Sequence, residues 1–252
     1  DFEDLADETL SARQFIHFSG EIQIPEVSGS APKKWLRIWK NKEKAYAKER
    51  SVILKAANSL TDGFIFDEAS SLIPDDAFVM LSNSFPVRDF ELIADYHAKS
   101  YVNRGASGID GIISTSIGLS IAEKAPGVSF IGDIAFIHDA NGLRLAEDVK
   151  KPLIFIILNN GGGTIFRMLP INNISEVYES YFETPQHVSY THLCKAHGVS
   201  HNLVTSKEQF RPIFEKALTR NKVQVIECIT NPNSSMKERT RLWDPELLSS
   251  QE

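Results

Sequence analysis

The chain has 252 residues, a formal net charge of −6 at pH 7 and a hydrophobic content of 42%. This composition is that of an ordinary globular protein, and the length suits one large α/β domain or one domain with part of a second. The negative charge argues against general binding to nucleic acid or anionic membranes, and no apolar stretch has the length of a membrane span. Two cysteines, Cys194 and Cys228, indicate no disulfide framework. We therefore expect a soluble intracellular protein.

The first 31 residues contain one predicted strand, FIHFSGEIQI, followed by a loop. A single strand cannot bury both of its faces alone, so we expect residues 1–31 to be the tail of a preceding central domain. The chain begins without methionine, on the acidic run DFEDLADE, which favours a piece of a longer polypeptide. Residues 32–252 are expected to form the main domain.

The main domain is predicted to begin with helices and then to enter a sheet. A helix in one or two pieces is expected from Pro32 to Leu60, and TDGFIFDEASSLIPDDA predicts a turn and a second helix. FVMLSNS and KSYV follow as strands, and NRGASGIDG leads into the predicted helix IISTSIGLSIAEK. The backbone N–H groups at the start of that helix favour an anion, but the glycine spacing differs from that of a Rossmann fingerprint.

Two short apolar runs, VSFI and PLIFIIL, predict strands that are buried on both faces. The residues between them, IHDANGLRLAEDVKK, are sufficient for a loop and a crossover helix, which makes a βαβ unit. A right-handed crossover places the carboxyl ends of both strands at one edge of a parallel sheet, where open α/β folds bind ligands. The predicted fold is therefore a doubly wound, mostly parallel α/β sheet with helices on both faces.

The last third of the chain predicts less regular structure. Residues 171–200 are expected to be helical and irregular, HNLVTS predicts a short strand or turn, and SKEQFRPIFEKALTRN predicts an amphipathic helix. VQVIECIT is expected to be the last strand. The polar tail that follows, NPNSSMKERTRLWDPELLSSQE, is expected to lie over the surface.

Oxygen ligands follow the two central strands at the predicted binding edge. Asp133 offers a carboxylate, Asn160 offers an amide oxygen, and the glycines Gly161 to Gly163 let the backbone turn so that a carbonyl faces the same point. Mg²⁺ prefers oxygen ligands and commonly shares its shell with phosphates. The pattern GD, about two dozen residues, then NN resembles the thiamine diphosphate signature. Ile134 departs from it, since much of that superfamily has glycine there.

Four motifs in one order make the resemblance specific: SNSFPVRD, NRGASGIDG, GDIAFIHDANG and NNGGGTIFRMLP. Together they resemble the MenD family, 2-succinyl-5-enolpyruvyl-6-hydroxy-3-cyclohexene-1-carboxylate synthase, over roughly residues 32–230. The resemblance implies the C-terminal, pyrophosphate-binding domain of a transferase. That transferase joins 2-oxoglutarate to isochorismate with loss of carbon dioxide, in menaquinone or phylloquinone biosynthesis.

The resemblance also implies roles for particular residues. Asp133, Asn160 and the Gly162 carbonyl would bind Mg²⁺ or Mn²⁺, and Ile109 would support the bent thiamine diphosphate. The full set implied for the cofactor is Ser107, Gly108, Ile109, Gly132, Asp133, Ile134, Ala135, Asn160, Gly162, Thr164 and Ile165. The set implied for the substrates is Ser84, Arg88, Arg104, Ile165, Phe166 and Leu169, in which the arginines suit carboxylates because a guanidinium can bind them bidentately.

The family activates its cofactor with a glutamate on a pyrimidine-binding domain, so no catalytic residue is assigned to this chain. The chain alone is expected to be incomplete for catalysis and to require the pyrimidine-binding domain of the same or a second subunit, in a dimer or tetramer. A bacterial source implies the cytoplasm. A plant or algal source implies the plastid, because plants join a MenD-like module to other enzymes of the pathway.

Three other interpretations remain open from the sequence. The first is another thiamine diphosphate enzyme, such as a 2-oxo acid decarboxylase or an acetolactate synthase. The second is a non-catalytic module that has retained the fold. The third is a zinc site in THLCKAHGVSH, formed by His192, Cys194, His197 and His201, although no second ligand pair is found elsewhere in the sequence.

Overall fold

The computed structural model of the chain describes residues 33–95 and 99–244. The strand predicted within residues 1–31, and with it the proposed tail of a preceding domain, lies outside the described residues. The residues from Lys42 onward form one compact unit, and the described residues before it, up to Asn41, belong to a second unit.

Six strands form one sheet in the described part of the chain. They are β1 (Phe78–Leu81), β2 (Ser100–Val102), β3 (Gly127–Gly132), β4 (Leu153–Asn159), β5 (Ser200–Val204) and β6 (Val223–Ile229). The strand order is β2-β1-β3-β4-β6-β5, and every neighbouring pair is parallel. The expectation of a parallel α/β sheet is confirmed.

The helices are α1 (Lys33–Ala56), α2 (Asp62–Ser70), α3 (Phe85–Ile93), α4 (Ile112–Glu123), α5 (Asp133–His138), α6 (Ser175–Tyr178), α7 (Tyr190–Ala196), α8 (Lys207–Leu218) and α9 (Pro232–Leu242). Shorter 3₁₀ segments cover Ala140–Asp148, Thr164–Met168 and Pro170–Asn173, and a π-helical turn covers Glu179–Glu183. The predicted crossover between β3 and β4 therefore consists of α5 and a 3₁₀ segment. None of the described helices combines the length and the apolar composition that a bilayer crossing requires.

The central strand β4 shows why the sheet needs helices on both faces. Its side chains alternate: Ile154 and Ile156 pack in one hydrophobic cluster with Phe66 of α2, whereas Phe155 packs in the other with Phe136 of α5. Successive residues of a strand point to opposite faces, so a continuous apolar run requires an apolar partner on each side. The prediction that this run is buried on both faces is confirmed.

The structure overturns one expectation near the chain's end and adds a helix after β1 that the sequence analysis did not predict. The tail expected on the surface forms α9, whose Arg239 and Leu242 are buried at 3% exposure each. The motif SNSFPVRD, which was not predicted to be helical, provides α3, with proline in its first turn. Proline suits the first turn of a helix because the N–H groups there have no partner within the helix.

The strand order creates a binding position at the sheet's carboxyl edge. From β1 the chain passes outward to β2 and then returns to β3 on the other side of β1. At such a switch point, the loops after the two strands separate and leave a crevice. Here the connections after β1 and β3 begin at Ser82 and at Asp133, the first residue of α5, so the crevice is lined by two of the motifs that the sequence singled out.

Candidate active site

A cavity of about 480 Å³ lies at the carboxyl ends of β1, β3 and β4. Its walls contain all but two of the residues predicted to bind cofactor or substrate. The predicted residues that line it are Ser84, Arg88, Arg104, Ser107, Ile109, Gly132, Asp133, Ile134, Ala135, Asn160, Gly162, Thr164, Ile165 and Phe166.

The two exceptions are Gly108 and Leu169. The carbonyl oxygen of Gly108 accepts a hydrogen bond from Nδ2 of Asn83 at 2.5 Å, so this glycine supports the wall through its backbone. Leu169 is 49% exposed and does not line the cavity in this chain. Its assignment to an apolar substrate wall stays a prediction.

Asp133 occupies the first position of α5, immediately after β3, and is only 4% exposed. Its Oδ1 accepts from the backbone N–H of Ile134 at 2.8 Å, and its Oδ2 accepts from those of Gly161 at 3.0 Å and Gly162 at 2.7 Å. Burial raises the pKa of Asp133 to about 6, although these three backbone bonds act in the opposite direction. A cation beside the carboxylate would offset this cost of burial.

The backbone after β4 requires glycine at two positions. Gly161 and Gly162 have φ of 86° and 134°, which L-residues rarely adopt, and this geometry directs both N–H groups at Asp133. The Gly162 carbonyl accepts from the N–H of Thr164 at 2.8 Å. A carbonyl oxygen has a second lone pair, so this bond leaves capacity for a metal ion.

The side chains of the two consecutive asparagines at the end of β4 have different contacts. Asn159 donates to Oε1 of Glu227 on β6 at 2.7 Å, and Oε2 of Glu227 in turn lies 2.8 Å from Nε2 of His201. Asn160 lines the cavity instead, and its Oδ1 is buried without a hydrogen-bond partner among the described residues. A buried amide oxygen without a partner is costly, which fits a site that binds a cation there.

The donor set at this point is a carboxylate, an amide oxygen and a backbone carbonyl. These are hard oxygen ligands, and they suit Mg²⁺ or Mn²⁺ together with phosphate oxygens. Asp133, Asn160 and Gly162 thus fit the metal that the thiamine diphosphate signature implies.

The arginines approach the same cavity from the β1 and β2 ends. Arg88 donates through Nη1 to the carbonyl of Ser84 at 2.7 Å, and Arg104 donates through Nη1 to Oδ1 of Asn83 at 3.1 Å. A guanidinium has five N–H donors, so each arginine retains donors beyond its anchoring bond. Ser84 itself has φ of 76°, an uncommon conformation for a residue other than glycine.

Apolar side chains complete the cavity. Ile109 packs on the core, and Phe166 and Phe182 meet edge to face with ring centroids 5.6 Å apart. Tyr181 and Phe182 come from the π-helical turn, which the sequence did not link to the site. This wall can shield one side of a bound molecule from water.

Two cavity residues carry polar groups that sequence reasoning missed. Asn83 anchors Arg104, and it lies inside the motif SNSFPVRD, so the motif itself was a signal. Asp62 lies in the first turn of α2 and reaches the cavity from a part of the chain 98 residues away from Asn160. An acidic residue after a Thr N-cap is an ordinary helix start, so no local pattern marked it.

The zinc interpretation gains no support from the described residues. Cys194 is fully buried in the hydrophobic cluster around Phe136, and His201 pairs with Glu227. No group of three or more His, Cys, Asp or Glu side chains in the described part of the chain is arranged to hold a metal ion.

Asp139, which follows α5, accepts from the backbone N–H of Ser114 at 2.8 Å and so caps the first turn of α4.

The fold resembles that of a solved thiamine diphosphate-dependent 4-hydroxybenzoylformate decarboxylase from Rhodococcus jostii RHA1. The TM-score is 0.60 at 24% sequence identity, and the match covers 70% of this chain and 33% of that chain. At this level of identity the likeness concerns the fold alone.

Curated relatives with greater sequence identity are 2-succinyl-5-enolpyruvyl-6-hydroxy-3-cyclohexene-1-carboxylate synthases. The protein from Roseiflexus sp. (strain RS-1) is 34% identical over 214 residues, which are 82% of this chain and 36% of that protein. The protein from Synechococcus sp. (strain JA-3-3Ab) is 38% identical over 170 residues, 66% of this chain and 28% of that protein. The protein from Bacillus velezensis is 30% identical over 242 residues, 92% of this chain and 41% of that protein. The chain thus spans between about a quarter and two fifths of the length of these relatives.

The family model described as "Thiamine pyrophosphate enzyme, C-terminal TPP binding domain" matches residues 91–228. That range contains β2 to β5, all of β6 except its last residue, and the cavity residues Asp133, Asn160 and Gly162. The resemblance inferred from the four sequence motifs is confirmed. The chain belongs to the thiamine pyrophosphate enzymes, and it corresponds to the C-terminal TPP-binding domain of the MenD synthases.

Proposed function

We propose that this chain is the pyrophosphate-binding part of a synthase that decarboxylates 2-oxoglutarate and adds the resulting four-carbon unit to isochorismate. The observation that carries this proposal is one cavity containing both the oxygen ligands at Asp133 and Asn160 and the two arginines Arg88 and Arg104. The first pair suits a metal-bound diphosphate, and the second suits substrates with several carboxylates.

Asp133, Asn160 and the Gly162 carbonyl would hold Mg²⁺ or Mn²⁺ and, through it, the diphosphate. When bound, thiamine diphosphate supplies the carbanion stabilisation that decarboxylation of a 2-oxo acid requires. Ser107, at the glycine-rich start of α4, and the groups around Gly132 would contact the cofactor's polar end. Ile109 and Ile165 would contact its apolar parts, since both line the cavity.

Arg88 and Arg104 would bind and orient substrate carboxylates. Both side chains are anchored through Nη1 to neighbouring groups, which reduces the conformational freedom lost on binding. Ser84 would add a hydroxyl donor, and Phe166 would exclude water from the same side. The chain's own residues thus bind, orient and shield, and the activating glutamate is expected on a pyrimidine-binding domain of the same or a second subunit.

Substrate consumption by the complete protein that carries this chain tests the proposal. With thiamine diphosphate and Mg²⁺, we expect 2-oxoglutarate to be consumed in the presence of isochorismate, with release of carbon dioxide. Consumption of pyruvate in preference to 2-oxoglutarate would overturn the proposed substrate and favour an acetolactate synthase or another 2-oxo acid decarboxylase.

The arginines offer a sharper test. Arg88→Ala and Arg104→Ala each remove a charged hydrogen-bond donor, so kcat/KM for the substrates is expected to fall roughly 10- to 100-fold. Arg144→Ala is the matched control, because Arg144 is exposed on the 3₁₀ segment after α5 and does not line the cavity. An equal effect of all three substitutions would contradict a role for Arg88 and Arg104 in substrate binding.

A further inference from the structure

We infer that Asp62 is a positioning residue for the proposed metal site, acting by fixing the side-chain amide of Asn160. The inference rests on the proposed function, because it concerns the metal that Asp133, Asn160 and Gly162 would bind. Asp62 lies outside the motifs that resemble the family, and it lines the cavity from the start of α2.

The contact between Asp62 and Asn160 determines which way the amide faces. Nδ2 of Asn160 lies 3.4 Å from Oδ2 of Asp62. An ionised carboxylate only accepts hydrogen bonds, so it selects the amide nitrogen and turns the amide oxygen away. That oxygen, Oδ1, is the buried atom without a hydrogen-bond partner among the described residues. Asp62 therefore presents to the site the atom that a metal ion needs.

Asp62 is itself held firmly, which a positioning residue requires. It is 0% exposed, its Oδ2 accepts from Nη2 of Arg239 at 2.5 Å, and its Oδ1 accepts from the hydroxyl of Thr230 at 2.5 Å. Its backbone N–H also donates to Oγ of Ser235 at 3.0 Å. Two other elements of the fold, namely α9 and the segment after β6, thus bind this carboxylate of α2.

Arg239 places a positive charge against this carboxylate. The guanidinium is buried at 3% exposure, binds Asp89 of α3 as well as Asp62, and lies 3.6 Å from the centre of the Phe85 ring. A guanidinium carries a permanent positive charge and donates charge-assisted hydrogen bonds to carboxylate oxygens. Groups that orient metal ligands from behind commonly affect metal affinity by about 10- to 100-fold, even though they do not touch the metal.

The matched pair Asp62→Asn and Asp89→Asn separates positioning from general stabilisation. Both carboxylates are fully buried partners of Arg239, but the described hydrogen bonds of Asp89 do not include one to Asn160. An Asn at position 62 can donate as well as accept, so it no longer selects one orientation of the Asn160 amide. We expect Asp62→Asn to weaken metal binding about 10- to 100-fold and Asp89→Asn to change it less than about threefold.

Mn²⁺ binding is measured directly in the complete protein that carries this chain, from the electron paramagnetic resonance signal of free Mn²⁺ in the presence of thiamine diphosphate. Circular dichroism and thermal unfolding of each variant report whether it is folded. If Asp62→Asn does not fold, Thr230→Val provides the test, since it removes one bond to Asp62 and leaves the carboxylate in place. It is expected to weaken Mn²⁺ binding in the same direction by a smaller factor.

Equal losses in folded Asp62→Asn and Asp89→Asn variants would show that the cluster acts on stability alone, which would overturn the inference. Unchanged Mn²⁺ affinity in Asp62→Asn or, where that variant does not fold, in Thr230→Val would also overturn it. Asp133→Ala distinguishes this failure from failure of the proposed metal site. If Asp133→Ala abolishes binding while the Asp62 and Thr230 variants bind normally, only the positioning role is wrong; if Asp133→Ala also binds normally, the metal site is wrong.

Discussion

The glycines after β4 yield the most specific prediction, because two neighbouring positions differ in the space that an added side chain would meet. Gly161 and Gly162 both have positive φ and both donate their N–H to Asp133. A Cβ added at Gly161 would meet nothing within 4 Å, whereas one added at Gly162 would lie 2.2 Å from the carbonyl oxygen of Glu183. Substitution by alanine therefore strains the backbone at both positions and adds a clash only at Gly162.

The magnitudes follow from these two terms. Forcing an L-residue into such a conformation costs about 1–3 kcal/mol, and overpacking against a fixed group costs about 1–3 kcal/mol more. Gly161→Ala is thus expected to lower the free energy of unfolding by about 1–3 kcal/mol and Gly162→Ala by about 2–6 kcal/mol. The clash also displaces Glu183, whose carbonyl accepts from the N–H of Gly163 at 2.6 Å.

Urea unfolding followed by circular dichroism measures both variants against the parent protein. The difference between the two alanine variants reports the contact with Glu183 together with the less favourable φ of Gly162, because the bonds to Asp133 are common to both. Equal free energies of unfolding for Gly161→Ala and Gly162→Ala would refute the reasoning.

Three further predictions concern the buried charges and the core. Arg239→Met leaves the carboxylate of Asp89 buried without its counter-ion. It should therefore lower the free energy of unfolding by about 3–5 kcal/mol at pH 8. A loss below about 1 kcal/mol would contradict a stabilising role for this ion pair. The effect should shrink toward pH 5, because burial already raises the pKa of Asp89 to about 6 and the protonated acid needs no counter-ion. Burial also raises the pKa of Glu238 from 4.5 to about 7, so the stability that its protonated form contributes is present below pH 4.5 and is lost as the pH rises through about 7. Unfolding between pH 5 and 8 should show a loss of about 1–3 kcal/mol that is absent in Glu238→Gln, and an unchanged pH profile in that variant would be inconsistent with this assignment. Phe66→Ala removes a fully buried ring that stacks on Phe130 at 4.5 Å, and its cost in chemical unfolding should be about 3–5 kcal/mol; a cost near zero would mean that the core collapses around the vacancy.

Much of the sheet and of the cavity could be predicted from the sequence because the signals are local. The apolar run of β4 is continuous, its end is marked by Asn159 and Asn160, and a parallel βαβ unit brings that end beside Asp133. The four motifs all lie at the carboxyl ends of strands, and therefore at one edge of the sheet. The strand order alone then explains why their residues meet at a single cavity.

The parts that were missed depend on contacts between distant segments. Arg239 and Asp62 are 177 residues apart, and the sequence around Arg239, NPNSSMKERTRLW, has no apolar stripe that predicts a packed helix. Charged residues are usually exposed, so a polar tail is expected on the surface unless its buried partner is known. The cavity wall formed by Tyr181 and Phe182 was missed for a similar reason, since a π-helical turn has no simple sequence pattern.

The central claim is that Asp133 anchors a metal-bound diphosphate at the end of β3. Calorimetric titration of thiamine diphosphate with Mg²⁺ into the complete protein that carries this chain tests it most directly, beside Asp133→Asn and the control Asp148→Asn, whose side chain is exposed and away from the cavity. We predict that the parent protein and Asp148→Asn bind the cofactor alike and that Asp133→Asn shows no detectable binding. Binding by Asp133→Asn with the affinity of the parent protein would contradict the account.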